Sequence, residues 1–176
     1  MRADYPDEAV FFEDELRAGT RTELSRKWTP MGHRPLAPVR IGYEFTYLYL
    51  AVCPFTGQGY AAFLPALDKV HFGWFADRIA EATAGPTLLV VDGASAHRVD
   101  SPEALRVVTL PAACPELNPV ERFFKAVRQR LKCRVFGCLA QAKKAVQDAV
   151  EWVSETAEKT ISLTCFPYIK NTSVQN

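Results

Sequence analysis

Apolar positions along this chain follow two rhythms, one suited to strands and one to helices. Val10–Leu16 and Tyr43–Cys53 are dense in aromatic and β-branched residues, which predicts strands. Pro54-Phe55-Thr56-Gly57 supplies a turn, and Gly59–Leu64 returns as a hairpin partner. Asp68–Ala84 takes the helical rhythm, with Val70, Trp74, Phe75, Ile79 and Ala82 on the apolar side, until Gly85-Pro86 breaks it. Thr87–Val91 is a continuous apolar run, the mark of a strand buried on both faces. Leu105–Leu110 predicts a further short strand, and Pro111 to Pro119 a proline-bounded loop. Val120–Lys132 is helical with Phe123, Phe124, Val127 and Leu131 inward. Leu139–Lys159 predicts one long helix, its stripe running Leu139, Ala142, Val146, Ala149, Val150, Val153 and Ala157. Residues 17–40, rich in turn formers and bases, read as an extended excursion or hairpin, and Thr164 to Asn176 as an irregular tail.

A strand, a hairpin, then helix, strand, strand and two helices imply an α/β fold with a mixed sheet flanked by helices. That order is expected of a ribonuclease H-like fold, the topology of retroviral integrases, in which the strands carrying Asp14 and Asp92 lie side by side.

The length of 176 residues predicts a single domain spanning 1–176, and 48% hydrophobic content is ordinary for a globular protein. No apolar run reaches the roughly 20 residues that cross a bilayer. Met1-Arg2-Ala3-Asp4-Tyr5-Pro6 lacks the apolar core of a secretory signal. The five cysteines form no C-x-x-C pair, and Cys133 and Cys138 have no companions to complete a zinc site, so reduced thiols in a cytoplasmic protein are expected. Net charge is only +1, but unevenly spread. Residues 1–20 hold six acids, whereas residues 122–134 hold six bases (Arg122, Lys125, Arg128, Arg130, Lys132, Arg134) and no acid. A basic stretch beside an acidic cluster suits a polyanion lying across a metal site, though a solvated helix face would look the same.

Three acids stand where elements end or begin. Asp14 lies in Phe11-Phe12-Glu13-Asp14-Glu15; Asp92 ends the run from Thr87 and precedes Gly93-Ala94-Ser95-Ala96-His97; Glu121 closes Pro115-Glu116-Leu117-Asn118-Pro119-Val120-Glu121. Carboxylates so placed can converge and hold hard divalent cations through oxygen. Each also has a plainer reading: a solvated strand-end acid for Asp14, a helix cap for Asp92, a helix-dipole partner for Glu121. Strand alternation sets Glu13 and Glu15 on the face opposite Asp14. His97 could orient a water, touch DNA, or serve as a cap or surface residue. Lys125, Arg128 and Lys132 share the helix face of Glu121 and could follow a phosphate backbone without reading sequence. Trp28, with Arg26, Lys27 and Arg34, could contact DNA or a second subunit, or Trp28 could pack in the core.

Taken together, Asp14-Glu15, Leu89-Val90-Val91-Asp92-Gly93-Ala94 with His97, and Pro115–Glu121 resemble the catalytic domain of bacterial insertion-sequence transposases related to mariner elements. The resemblance covers roughly residues 9–135, and Pro-Glu-Leu-Asn-Pro-Val-Glu is its most specific block. Trp28–Pro35 is similar to the family's linker between the first two strands. Gly93 stands where relatives often have Asn, and Cys114 where they have Ser; neither is a metal ligand. The resemblance implies a metal-dependent endonuclease and strand-transfer enzyme whose Asp-Asp-Glu triad is Asp14, Asp92 and Glu121. It further implies two Mg²⁺ ions, with Mn²⁺ able to substitute, double-stranded DNA as element end and target, and a homodimer on DNA. The family's helix-turn-helix modules are missing ahead of this segment, so a second reading frame, a fragment or a catalytically silent remnant that binds nucleic acid or transposase subunits are the alternatives.

Overall fold

The computed structural model describes residues 8–24, 26 and 28–170, for Lys170 the backbone alone. Strand β1 (Ala9–Gly19) is the centre of a five-stranded sheet. On one side it pairs antiparallel with β2 (Phe45–Val52), which pairs antiparallel with β3 (Gly59–Leu64). On the other it runs parallel to β4 (Thr87–Val91), and β4 runs parallel to β5 (Leu105–Thr109), giving the order β3-β2-β1-β4-β5. Helix α1 (Lys69–Ala82) makes the crossover from β3 to β4. After β5 come α2 (Val120–Leu131), α3 (Leu139–Val153), α4 (Ala157–Thr164) and the single turn α5 (Pro167–Lys170). This is the expected mixed sheet with flanking helices.

Successive strand residues point to opposite faces, and the chain uses both. Val10, Phe12, Leu16, Leu48, Leu50, Leu88 and Val90 pack against Phe123, Phe124 and Val127 of α2 and Val146 of α3. Phe11, Tyr49, Ala51, Leu89 and Val91 pack against Phe72, Phe75, Ala76 and Ile79 of α1. Each such side chain contributes roughly 1.5–3 kcal/mol when fully buried. The same parity decides where the acids of β1 point: Asp14 shares the α2 face, and Glu13 and Glu15 share the α1 face.

Several expectations need correction. β1 runs three residues beyond Leu16, to Gly19, because Arg17, Ala18 and Gly19 continue the ladder with Tyr47, Thr46 and Phe45. α1 buries Phe72 and Ala76 where the sequence suggested Val70 and Trp74, which are 78% and 47% exposed. Asp68 sets that phase: its Oδ1 accepts from the N–H of Val70 and of His71, both at 3.0 Å, so the helix starts one residue later. The predicted helix Leu139–Lys159 is two helices. The Ser154 N–H ends α3 on the Val150 carbonyl, and Thr156 caps α4 by accepting from the Lys159 N–H at 3.3 Å. The turn at Gly57 (φ +74°) presses on that junction, where a Cβ would come within 2.5 Å of the Ala157 carbonyl oxygen. Of the tail predicted as irregular from Thr164, Thr164 ends α4, Cys165 and Phe166 are irregular, and Pro167–Lys170 form α5; residues 171–176 lie outside the described residues.

Among the described residues, those from 20 to 44 form an extended excursion without helix or strand. Its two limbs are tied by Thr20 N–H to the Glu44 carbonyl at 3.0 Å and Thr22 N–H to the Arg40 carbonyl at 3.1 Å. Beyond these ties Trp28, Met31, Leu36, Ile41 and Tyr43 stand in solvent, and Trp28 at 104% exposure packs in no core. Among the described residues no helix is long and apolar enough to cross a membrane.

Candidate active site

The parallel pair β1–β4 sets Phe12 beside Val90, so Asp14, midway along β1, stands beside Asp92, which follows the last residue of β4. Glu121 arrives from the first turn of α2. A buried asparagine makes that meeting possible: Asn118 Nδ2 donates to the Glu13 carbonyl at 2.9 Å, and its Oδ1 accepts from the Val120 N–H at 3.1 Å. One side chain thereby clamps the start of α2 to β1 beside Asp14. Asp14, Asp92 and Glu121 line a single cavity of about 330 Å³, walled by Gly93, Ala94 and residues 110–115.

Electrostatics mark this as a place for cations. Burial is the largest cause raising the Asp14 carboxyl from 3.8 to about 7; Glu121, Glu15 and Asp92 push the same way, against one hydrogen bond from the Glu15 N–H at 2.8 Å. Glu121 finds a protein cation in Arg128, whose Nη1 is 3.6 Å away. Asp92 Oδ1 accepts from the Ala94 N–H at 2.9 Å and faces His97 Nδ1 at 2.8 Å. Three carboxylates in one cavity, one of them held toward its neutral form, fit hard divalent cations with oxygen ligands.

A second group lies back to back with the triad on the α1 side of β1. His97 Nε2 is 3.1 Å from Glu15 Oε1 and 3.8 Å from Glu13 Oε2. The donor atoms of Glu13, Glu15 and His97 all lie within 4.8 Å of one another, a spacing that would also accept a metal ion. Glu13 is fully enclosed and neither carboxylate oxygen has a hydrogen-bond partner. Burial first, then the charges of Glu15, Asp14 and Asp92, push its carboxyl well above the usual range. Burial alone would lower the His97 ring; the hydrogen bond and charge of Glu15, then those of Asp92, outweigh it and raise the ring above its ordinary value.

From Glu121 a basic groove of about 480 Å³ leads along α2, lined by Glu116, Arg122, Lys125, Arg128 and Lys132. The Arg122 guanidinium also stacks 4.3 Å from the Phe166 ring centre. Arg26 and Arg34 line neither the groove nor the cavity and stand exposed on the excursion; Lys27 lies outside the described residues. His97, read from sequence as free to touch DNA or a water, is buried instead, its ring 4.6 Å from that of Phe72. Asn118 had a signal in Asn-Pro ahead of a helix, a capping pattern. Glu13 and Glu15 had none beyond strand alternation, because nothing local connects them to a histidine more than eighty residues later.

The uncharacterized protein y4pE/y4sA of Sinorhizobium fredii is 30% identical over 98 residues, which is 52% of this chain and 73% of that protein. Among solved structures, the Mos1 transposase paired-end complex with left transposon end superposes with a TM-score of 0.60 at 15% identity, covering 94% of this chain and 58% of that one. The Mos1 mariner paired-end complex with Mn gives a TM-score of 0.60 at 17% identity, over 93% of this chain and 59% of that one. The chain thus spans under three fifths of the Mos1 chains, and at these identities the likeness establishes the ribonuclease H-like fold. Residues 9–143 match the DDE superfamily endonucleases from the first strand through the start of α3, and the chain belongs to that family.

Proposed function

We propose that this chain is the catalytic domain of a DNA transposase, cutting strands at the ends of a mobile element and joining them to target DNA. The convergence of Asp14, Asp92 and Glu121 on one cavity, at the head of a basic groove, carries the reading. Asp14, Asp92 and Glu121 hold two Mg²⁺ ions, or Mn²⁺ in their place. Bound there, the pair supplies Lewis-acid activation of the attacking oxygen and neutralises charge on the leaving one. Lys125, Arg128 and Lys132 hold the phosphate backbone of double-stranded DNA in register with the cavity without reading its bases. Arg128 also relieves the repulsion that Glu121 would otherwise feel from its fellow carboxylates. No covalent bond between protein and DNA is required, since the metal-activated oxygen would be the attacking group.

The exposed apolar excursion supports a homodimer on DNA. Trp28, Met31 and Leu36, each more than nine tenths exposed, are costly to leave in water and suit the surface of a second copy. Arg26, Lys27 and Arg34 on the same segment would then meet either the partner or the DNA it holds. Acting on DNA, the protein would work in the cytoplasm if its host is bacterial.

The test is cleavage of duplexes carrying the inverted repeats that flank the coding sequence, in Mg²⁺ and in Mn²⁺. Asp92→Asn keeps the shape and the hydrogen bond from Ala94 but loses the charge that holds metal, so cleavage should be abolished while the protein stays folded. Cleavage by the variant at the parent's rate would sink the assignment.

A further inference from the structure

His97 is shut away from both DNA and solvent, yet its ring reaches the second acid of the triad. Its side chain is 2% exposed, and the two ring nitrogens face oxygens of Asp92, Glu15 and, further off, Glu13. Nδ1 faces Asp92 Oδ1 at 2.8 Å and the Asp92 carbonyl at 3.2 Å; Nε2 faces Glu15 Oε1 at 3.1 Å. Asp92 needs such support. It sits past the end of β4 with its side chain 60% exposed, and a carboxylate there turns freely unless donors pin it. Oδ1 accepts from the Ala94 N–H at 2.9 Å and lies in ion-pair contact with His97 Nδ1 at 2.8 Å, while the hydrogen bond of Nδ1 goes to the Asp92 carbonyl.

Resting on the reading of Asp92 as a metal ligand, we infer that His97 is a positioning residue for the triad: its Nδ1 holds Asp92 by a hydrogen bond to the backbone carbonyl and by close contact with Oδ1, and Glu15 fixes the ring. Oδ1 is pinned from behind and Oδ2 is left for a cation. Phe72, 4.6 Å from the imidazole on α1, closes the last freedom of the ring. The Glu15 side chain therefore serves Asp92 through His97, while its backbone N–H bonds Asp14 beside it in sequence. The strand parity that turns Asp14 toward α2 turns Glu15 toward His97. Groups standing behind a metal ligand in this way commonly change metal affinity 10–100-fold when removed.

The test is Mn²⁺ affinity, read as loss of the free-ion electron paramagnetic resonance signal, with thermal unfolding of each metal-free variant alongside. Asn and Gln separate the two ring nitrogens: Asn Nδ2 occupies the place of Nδ1, and Gln Nε2 that of Nε2. His97→Ala should weaken Mn²⁺ binding about tenfold or more. His97→Asn should stay within about threefold of the parent, a change under 1 kcal/mol. His97→Gln should be as weak as Ala, and Glu15→Ala should fall between. Should His97→Ala not fold, the Asn and Gln pair decides. Equal losses for Asn and Gln would reduce His97 to packing and overturn the inference. So would parent-like Mn²⁺ affinity in His97→Ala when Asp92→Asn binds weakly. If Asp92→Asn itself binds Mn²⁺ as the parent does, the metal-ligand reading fails first and this one with it, so the two failures are told apart.

Discussion

Removing one charge from the triad should stabilise the metal-free protein and abolish its stabilisation by metal, and Asp14→Asn is the sharpest way to see both. The Asp14 carboxyl stands at about 7 in the folded chain against 3.8 for its ordinary value. Below about pH 4 the group is protonated folded and unfolded, and it contributes no difference. Between about 4 and 7 the folded state alone keeps the proton, so stability falls as pH rises through that window and stays reduced above it. At 1.36 kcal/mol per pKa unit, the upper bound is ~4 kcal/mol. Asp14 is partly open to solvent and its repulsion is shared with Glu121 and Asp92, which brings the expected effect to roughly 1–3 kcal/mol. Asn keeps the side-chain oxygen that accepts from the Glu15 N–H, so no backbone donor is orphaned. At pH 8 without metal, Asp14→Asn should therefore melt about 3–10 °C above the parent, and at pH 5 the gap should shrink to roughly a third of that. With Mn²⁺ at 100 times its dissociation constant the parent gains about 2.7 kcal/mol and the variant far less, which reverses the order. Thermal unfolding at pH 5, 6.5 and 8, with and without Mn²⁺, reads all of this. A parent–variant gap that ignores pH, or equal Mn²⁺ stabilisation of both, would refute the reasoning.

Two further outcomes are expected. Lys125→Ala with Arg128→Ala should weaken binding to every duplex alike and flatten the dependence of log affinity on log salt by about two contacts' worth, near 1.8 in slope; loss confined to one sequence, by fluorescence anisotropy, would count against a phosphate track. Asn118→Ala should cost about 2–4 kcal/mol in chemical unfolding, since it leaves the Glu13 carbonyl and the Val120 N–H without their partner in a closed site. A loss under 1 kcal/mol would mean that α2 is positioned without that clamp.

Local pattern was enough for most of the architecture. The continuous apolar run Thr87–Val91 belongs to a strand enclosed on both faces, and the inward set Phe123, Phe124, Val127 and Leu131 of α2 is buried as its spacing predicts. Period and composition are local properties, and these elements make the contacts their own sequences call for. The misread positions share another cause. Val70 and Trp74 fit an apolar stripe, but the Asp68 cap and the sheet above α1 chose Phe72 and Ala76. A helical stripe ran unbroken through residue 154, yet Thr156 and the approach of Gly57 cut the helix there. The acids were visible as three motifs, because each lies within a distinctive block, although Asp14 sits midway along β1 rather than at its end. Sequence by itself therefore determined the strand and helix order, the acids and the basic face beside them. Tertiary structure alone decided which face of β1 each carboxylate serves, that Asn118 clamps α2 to β1, and that Glu15 and Asp92 meet on His97. Those contacts join residues far apart in the chain, and their energy exists only once parallel pairing has brought the middle of β1 beside the end of β4.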